Sequence, residues 1–137
     1  MHRRTTTLFA LLIATQAAHS VEEYTFRLYD VLAPARLIAG LVSSDPARGF
    51  AIANILLVSL GVWCYFARVR AGHPSSRAWM WGWTLLEAAN GTGHLLFALA
   101  SGGYFPGAWT APILLSLAIA LGIALTRDGK DHVFMRS

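Results

Sequence analysis

Residues 50–67, FAIANILLVSLGVWCYFA, run without a charge for about the length a helix needs to cross a hydrocarbon core. Three further apolar stretches flank this one. Ala108–Thr126 is also uncharged. Thr5–Ala18 is shorter and runs on into the polar segment His19-Ser20-Val21-Glu22-Glu23, while Ala78–Ala100 is interrupted by Glu87, Asn90 and His94. Across all 137 residues, 55% are hydrophobic and 13% charged, and the mean hydropathy is +0.50. Soluble domains carry about 25% charged residues, so the composition excludes a disordered chain, a coiled coil or a nucleic-acid-binding tail. The single Cys64 excludes an intramolecular disulfide and a Cys-based zinc cluster. The expected fold is all-α: one domain over residues 1–137, a polytopic four-transmembrane-helix bundle with spans at about 5–23, 50–67, 78–100 and 108–126.

The basic residues set the orientation. Arg3 and Arg4, then Arg68, Arg70 and Arg77, then Arg127, Lys130 and Arg136 lie in three segments that four spans would place on one side. The positive-inside bias makes that side the cytoplasm and the topology N-in/C-in, in the cell (inner) membrane. The net charge of +4 follows from these flanks, with no aromatic-interleaved basic stripe, so no nucleic-acid partner is expected. The bilayer itself is the expected partner. Asp30–Gly49 and Ser101–Gly107 read as loops, the second with a turn signature at Pro106-Gly107. A rival reading takes Met1–Ala17 as a secretory signal peptide, with Thr15-Gln16-Ala17 as its small-residue cleavage site. Ala10, Ala14 and Ala18 recur at helical spacing, which suggests a close packing seam.

Polar groups inside a span are costly and need a reason. His19, Glu22 and Glu23 stand at i, i+3 and i+4, hence on one helical face; Glu87, Asn90 and His94 share a face as well. At 1.5 Å per residue, His19 lies roughly 21 Å beyond Thr5, His94 roughly 24 Å beyond Ala78, and Glu87 roughly 14 Å in. The two faces therefore meet at similar height, in the outer half of the membrane, where Asn54 could join them. The loop containing Tyr104, Pro106 and Gly107 lies over the site.

Two chemistries suit such a cluster. Neutral imidazole and carboxylate are ligands for zinc or non-haem iron, with His19, Glu23, Glu87 and His94 as the candidate set. Metal-free acid–base work is the other: a Glu in a low-dielectric interior can exchange a proton with a neighbouring His. Catalytic candidates are therefore His19, Glu22, Glu23, Glu87, Asn90 and His94. The plainer reading makes Glu87 a structural ion pair with Arg27 or Arg36, and His94 an interhelical hydrogen bond. No serine has a nucleophile-elbow context.

The H-x-x-E-E run at His19–Glu23, the N-x-x-x-H pair Asn90/His94 and the Y-x-P-G tetrapeptide Tyr104–Gly107 together resemble the HXXEE-motif family of small bacterial and archaeal integral membrane proteins. Three short motifs in order on a four-span profile are far more specific than any one alone. The resemblance implies a shared polar core and an enzymatic role with no reaction attached. The expected function is a small membrane-embedded enzyme, of hydrolase or isomerase type, acting on a lipidic or amphipathic substrate. The alternative is a proton- or metal-ion-handling transporter component or accessory subunit, since intramembrane Glu/His clusters also serve proton relays. Mainly apolar side chains below Glu87 favour a one-sided site.

Overall fold

The computed structural model describes residues 3–134, with side chains to Asp128; His2, Lys130, His132 and Arg136 fall outside the described side chains. The described chain is all-α. Its helices are α1 (Arg3–Thr25), α2 (Leu28–Val31), α3 (Ala33–Val42), α4 (Pro46–Cys64), α5 (Ser76–Ser101) and α6 (Ala111–Phe134), and Tyr65–Arg70 prolongs α4 as a π-helix. Two segments are long and apolar enough to cross a membrane: Pro46–Arg70, with mean hydropathy 2.0, and Ala111–Asp128, with 1.6. α1 and α5 are as long, at 23 and 26 residues, but they carry the polar motifs.

Local chemistry explains the boundaries. Asp45 caps α4 by accepting from the backbone of Ala47 at 3.0 Å and Arg48 at 3.3 Å, and Pro46 fills the first helical position, where its missing N–H costs nothing. α4 thus starts four residues before the apolar run that advertises it. Asp30–Gly49, expected as a loop, is mostly helical for a related reason: Pro34 opens α3, and Ala35 and Ala39 bury a small-residue face that lets α3 fold back on α4. At the other end α6 begins at Ala111 rather than Ala108, because Ala108–Thr110 complete the preceding turn.

α5 packs on α6, α6 on α1, and α1 on α4, while the π-helical segment returns to touch α5 and α1. Phe9, Leu12 and Ile13 of α1, Met80 and Trp83 of α5, and Leu114, Leu121 and Leu125 of α6 fill one half of this bundle. α5 and α6 approach so closely that a Cβ on Gly91 would stand 3.0 Å from Leu115 Cβ and 3.1 Å from the Ala111 carbonyl oxygen. The expected alanine seam is not part of this core. Ala14 and Ala18 are exposed, and the buried face of α1 runs instead through Phe9, Leu12, Gln16, His19 and Glu23. Removing residues 1–17 would therefore strip Phe9, Leu12 and Gln16 from the core.

Outside the core, large apolar side chains are exposed along several helices. Ile55, Leu56 and Leu60 of α4, Leu37 and Leu41 of α3, and Leu85 and Leu96 of α5 are all exposed.

Candidate functional site

The two polar helix faces meet at one end of the bundle. His19 and Glu23 come from adjacent turns of α1, and His94 comes from α5. His19 Nε2 lies 3.4 Å and His94 Nε2 3.0 Å from the same oxygen, Glu23 Oε1. One ligand atom from each of the three residues lies within 4.8 Å of the others, and all three residues are buried. In a tetrahedral zinc shell with bonds near 2.0–2.1 Å, ligand atoms stand roughly 3.3 Å apart. The two distances to Glu23 Oε1 are close to that.

Hydrogen bonds on the far side of each ring establish which nitrogens face inward. His94 Nδ1 lies 2.6 Å from the Pro106 carbonyl oxygen, which can only accept, so Nδ1 carries a proton. The Thr110 hydroxyl donates its single proton to Glu22 Oε2 at 2.6 Å, so it accepts from His19 Nδ1–H, also at 2.6 Å. In the neutral rings both Nε2 atoms then present lone pairs to the Glu23 carboxylate. Three electron-rich atoms then converge, and a proton or a cation among them would relieve their repulsion. Protonating both rings is a poor answer: their centroids are 4.6 Å apart, where two unit charges repel by on the order of 4 kcal/mol at an effective dielectric near 20. A single ring proton would serve one Nε2–carboxylate pair and leave the other Nε2 without a partner, whereas a divalent cation would satisfy all three atoms at once. His19 Nε2 is buried with no hydrogen-bond partner, as an unfilled ligand atom would be.

Glu22 faces a different way. Its Oε1 accepts from the Tyr104 hydroxyl at 2.8 Å and the Trp109 backbone N–H at 3.0 Å; its Oε2 accepts from the Thr110 backbone N–H at 2.9 Å as well as from the Thr110 hydroxyl. Those N–H groups stand just ahead of α6, so the carboxylate serves as a cap supplied by another helix. Partial burial, and then the Glu22 carboxylate, push the Tyr104 phenol above its ordinary value, which keeps it a donor. Glu22 thus pins the loop, and through Thr110 it orients His19.

That loop roofs the cluster. Ala108 N–H donates to the Phe105 carbonyl at 2.9 Å and Gly107 has φ 93°, as the third position of a type II turn requires. Gly107 is also a close approach: a Cβ there would stand 2.5 Å from His94 Nδ1 and 2.8 Å from His19 Cε1. The Y-x-P-G residues therefore act on the cluster by hydrogen bond (Tyr104, Pro106) and by contact (Gly107).

Glu87, expected as a fourth ligand, stands beside the cluster rather than in it. It is fully buried. With its amide turned to satisfy its neighbours, Gln16 donates to both Glu87 oxygens, at 2.7 and 3.2 Å, and accepts from Ser20 Oγ at 3.1 Å; Asn90 adds a longer contact of 3.5 Å. Among the described residues no arginine pairs with it. Arg27 pairs with Asp30 at 2.6 Å, and Arg36 bonds the Tyr29 and Asp30 carbonyls. Asn54 donates to the Phe50 carbonyl at 3.1 Å and lines the same cavity as Glu87. Gln16 and Thr110 were the residues missed. Gln16, His19 and Glu23 follow i, i+3, i+7, a signal masked by the cleavage-site reading of Thr15–Ala17. Thr110 carries no local signal, because its partners lie 88 and 91 positions away in the chain.

The fold and site define an all-α protein with a buried two-histidine, one-carboxylate cluster under a glycine-tight turn. The family described as "Protein of unknown function with HXXEE motif" matches residues 10–121, and this chain belongs to it. That range takes in the H-x-x-E-E run, Gln16, Glu87, Asn90, His94, the Tyr104–Gly107 turn and Thr110. No curated protein and no solved structure matches the chain.

Proposed function

We propose that this protein is a small membrane-embedded enzyme whose His19–Glu23–His94 cluster holds a divalent metal, zinc or non-haem iron, and acts on a lipidic or amphipathic substrate. The observation that carries the reading is the convergence of two imidazole Nε2 atoms on one buried carboxylate, with both Nδ1 protons already committed. Two histidines and a carboxylate are a usual donor set for catalytic zinc, which keeps a further position open and there acts as a Lewis acid. Around it, Thr110 and the Pro106 carbonyl orient the ligands, and Glu87 is the group that takes or gives a proton beside the reacting atoms.

The same reading has α1, α4, α5 and α6 as four spans, N-in/C-in, in the cell membrane, with the site in the outer half. Apolar side chains exposed on α4 and α5 support it. A transporter component would need polar groups continuing toward the other face, and below Glu87 the interior is filled by residues such as Trp83, Met80 and Leu121.

Metal analysis of detergent-purified protein tests the centre. Near-stoichiometric zinc or iron should copurify, be lost in His19→Ala and His94→Ala, and persist in Glu87→Gln. Glu87→Gln should leave thermal stability within about 1 kcal/mol, as membrane hydrogen bonds average less than that, while abolishing complementation. A metal-free preparation that is folded and active would replace the metal reading by acid–base chemistry. For topology, a cysteine at Ser101 should label from outside intact cells, and one at Ser75 only after permeabilisation, both in a background lacking Cys64. Labelling of both from one side rejects the four-span arrangement.

A further inference from the structure

A cavity of about 510 Å³ opens beside the cluster, between α5 on one side and α3 and α4 on the other. Its inner end is polar: Glu23 and His94 of the cluster, with Gln16, Glu87, Asn90 and Asn54. The rest of its lining is largely apolar: Leu28 and Ile38 from α2 and α3, Phe50 and Leu57 from α4, and Leu86 from α5. Ile38 and Leu86 line the cavity and are also 51% and 46% exposed. The mouth is therefore rimmed by side chains continuous with the apolar outer surface of the helices, and it opens where lipid would lie.

Charge decides what the inner end can accept. Two carboxylates line it, and among the described residues no lysine or arginine does. The arginines of the adjoining α2–α3 segment are engaged elsewhere: Arg27 pairs with Asp30, and Arg36 donates to two backbone carbonyls. A divalent cation on the cluster would only balance Glu23 and Glu87, so a phosphate or carboxylate head group would still find no countercharge among the lining side chains, at high cost in a low-dielectric pocket. A hydroxyl, ester or amide would meet amide and carboxylate groups able to hydrogen-bond it. The volume lies within the range of single small-molecule sites.

We infer that this cavity binds a single-chain amphiphile with an uncharged hydrogen-bonding head group — a long-chain alcohol, ester or amide — admitted sideways between α4 and α5, head toward Glu87 and the cluster, chain along Phe50, Leu57 and Leu86. The inference names the substrate class for the enzyme proposed above and rests on that reading for the chemistry, but not for the binding.

The probe is a photoreactive, alkyne-bearing long-chain alcohol, compared with its phosphate monoester, on protein in nanodiscs whose metal content is measured in the same samples. The alcohol should crosslink to peptides containing Leu57 or Leu86, and the phosphate monoester should label them at least tenfold less. Ala53→Trp, which fills the cavity from the α4 wall, should reduce labelling at least fivefold with melting temperature and metal content unchanged; Ala89→Trp fills it from α5 and serves if the first variant does not fold. Equal labelling by the two probes, or labelling that both tryptophans leave intact, overturns the inference. Selective, tryptophan-sensitive labelling of a metal-free protein upholds the binding site and rejects the metal centre; a metal-loaded protein that does not label does the reverse.

Discussion

The two ends of this bundle are held together by different physics. At one end Phe9, Leu12, Met80, Leu121 and Leu125 interlock with no hydrogen bond between them, and any side chain of similar shape would serve. At the other, His19, Glu22, Glu23, His94 and Thr110 stand in polar contacts of 2.6–3.4 Å with one another and with the roof, so identity matters atom by atom. Packing is forgiving of chemistry and intolerant of voids; the polar end is the reverse. A cluster meant to hold a cation needs the second kind of order, because ligand atoms displaced by about 1 Å no longer share one ion.

Substitutions that separate fold from site sharpen this contrast, and the largest effects belong to Gly107 in the roof and Leu121 in the apolar end. In Gly107→Ala, a methyl meets both imidazoles and the backbone must keep φ 93°. Overpacking and left-handed strain together should cost on the order of 3 kcal/mol and release the copurifying metal. Leu121→Ala at the apolar end should cost about 2–5 kcal/mol yet leave metal content as it was. Melting curves with metal analysis check both, and metal retained in Gly107→Ala, or missing from folded Leu121→Ala, would erase the distinction.

Thr110 gives an intermediate effect confined to the polar end. Thr110→Val removes the acceptor for His19 Nδ1–H and one donor to Glu22 while preserving shape. Loss of such an orienting contact typically weakens metal binding about 10–100-fold, and competitive chelator titration should read that fall. Thr110→Ser, which restores the hydroxyl, should bind close to wild type. Equal affinities for Val and Ser would mean the hydroxyl orients nothing.

The smallest effect is expected at the loop's edge. Tyr104→Phe removes one of the four bonds to Glu22, worth about 1 kcal/mol or less. Its pH dependence is more telling than its size. The folded-state phenol sits above its ordinary value, chiefly through partial burial and then through Glu22. Its contribution is therefore full below the unfolded value near 10 and fades as pH rises toward the folded one. The stability gap between wild type and Tyr104→Phe should stay constant from neutral pH to about 9 and shrink above it; a gap that widens in alkali would contradict the bond.

Much of this architecture was legible in the chain because helical periodicity is local. Four long helices, the shared face of His19 and Glu23, the turn at Pro106-Gly107 and the nearness of His94 to H-x-x-E-E all follow from spacing and rise per residue. α3 was hidden because it carries one charge, Arg36, and a proline in its first turn, and Asp45-Pro46 was a capping signal left unread. What only the tertiary structure decided is how the polar groups divide their work. Glu22 and Glu23 are neighbours in sequence, yet a turn of about 100° between successive helix positions points one at the α6 N-terminus and the other at His94. Glu87 lies at the right depth for a ligand, but Gln16, one face-turn away on α1, claims its carboxylate. Thr110 enters the site only because α6 returns beside α1. Spacing along a helix determines which side chains share a face; which partner each one meets depends on the neighbouring helices, and no local pattern encodes that.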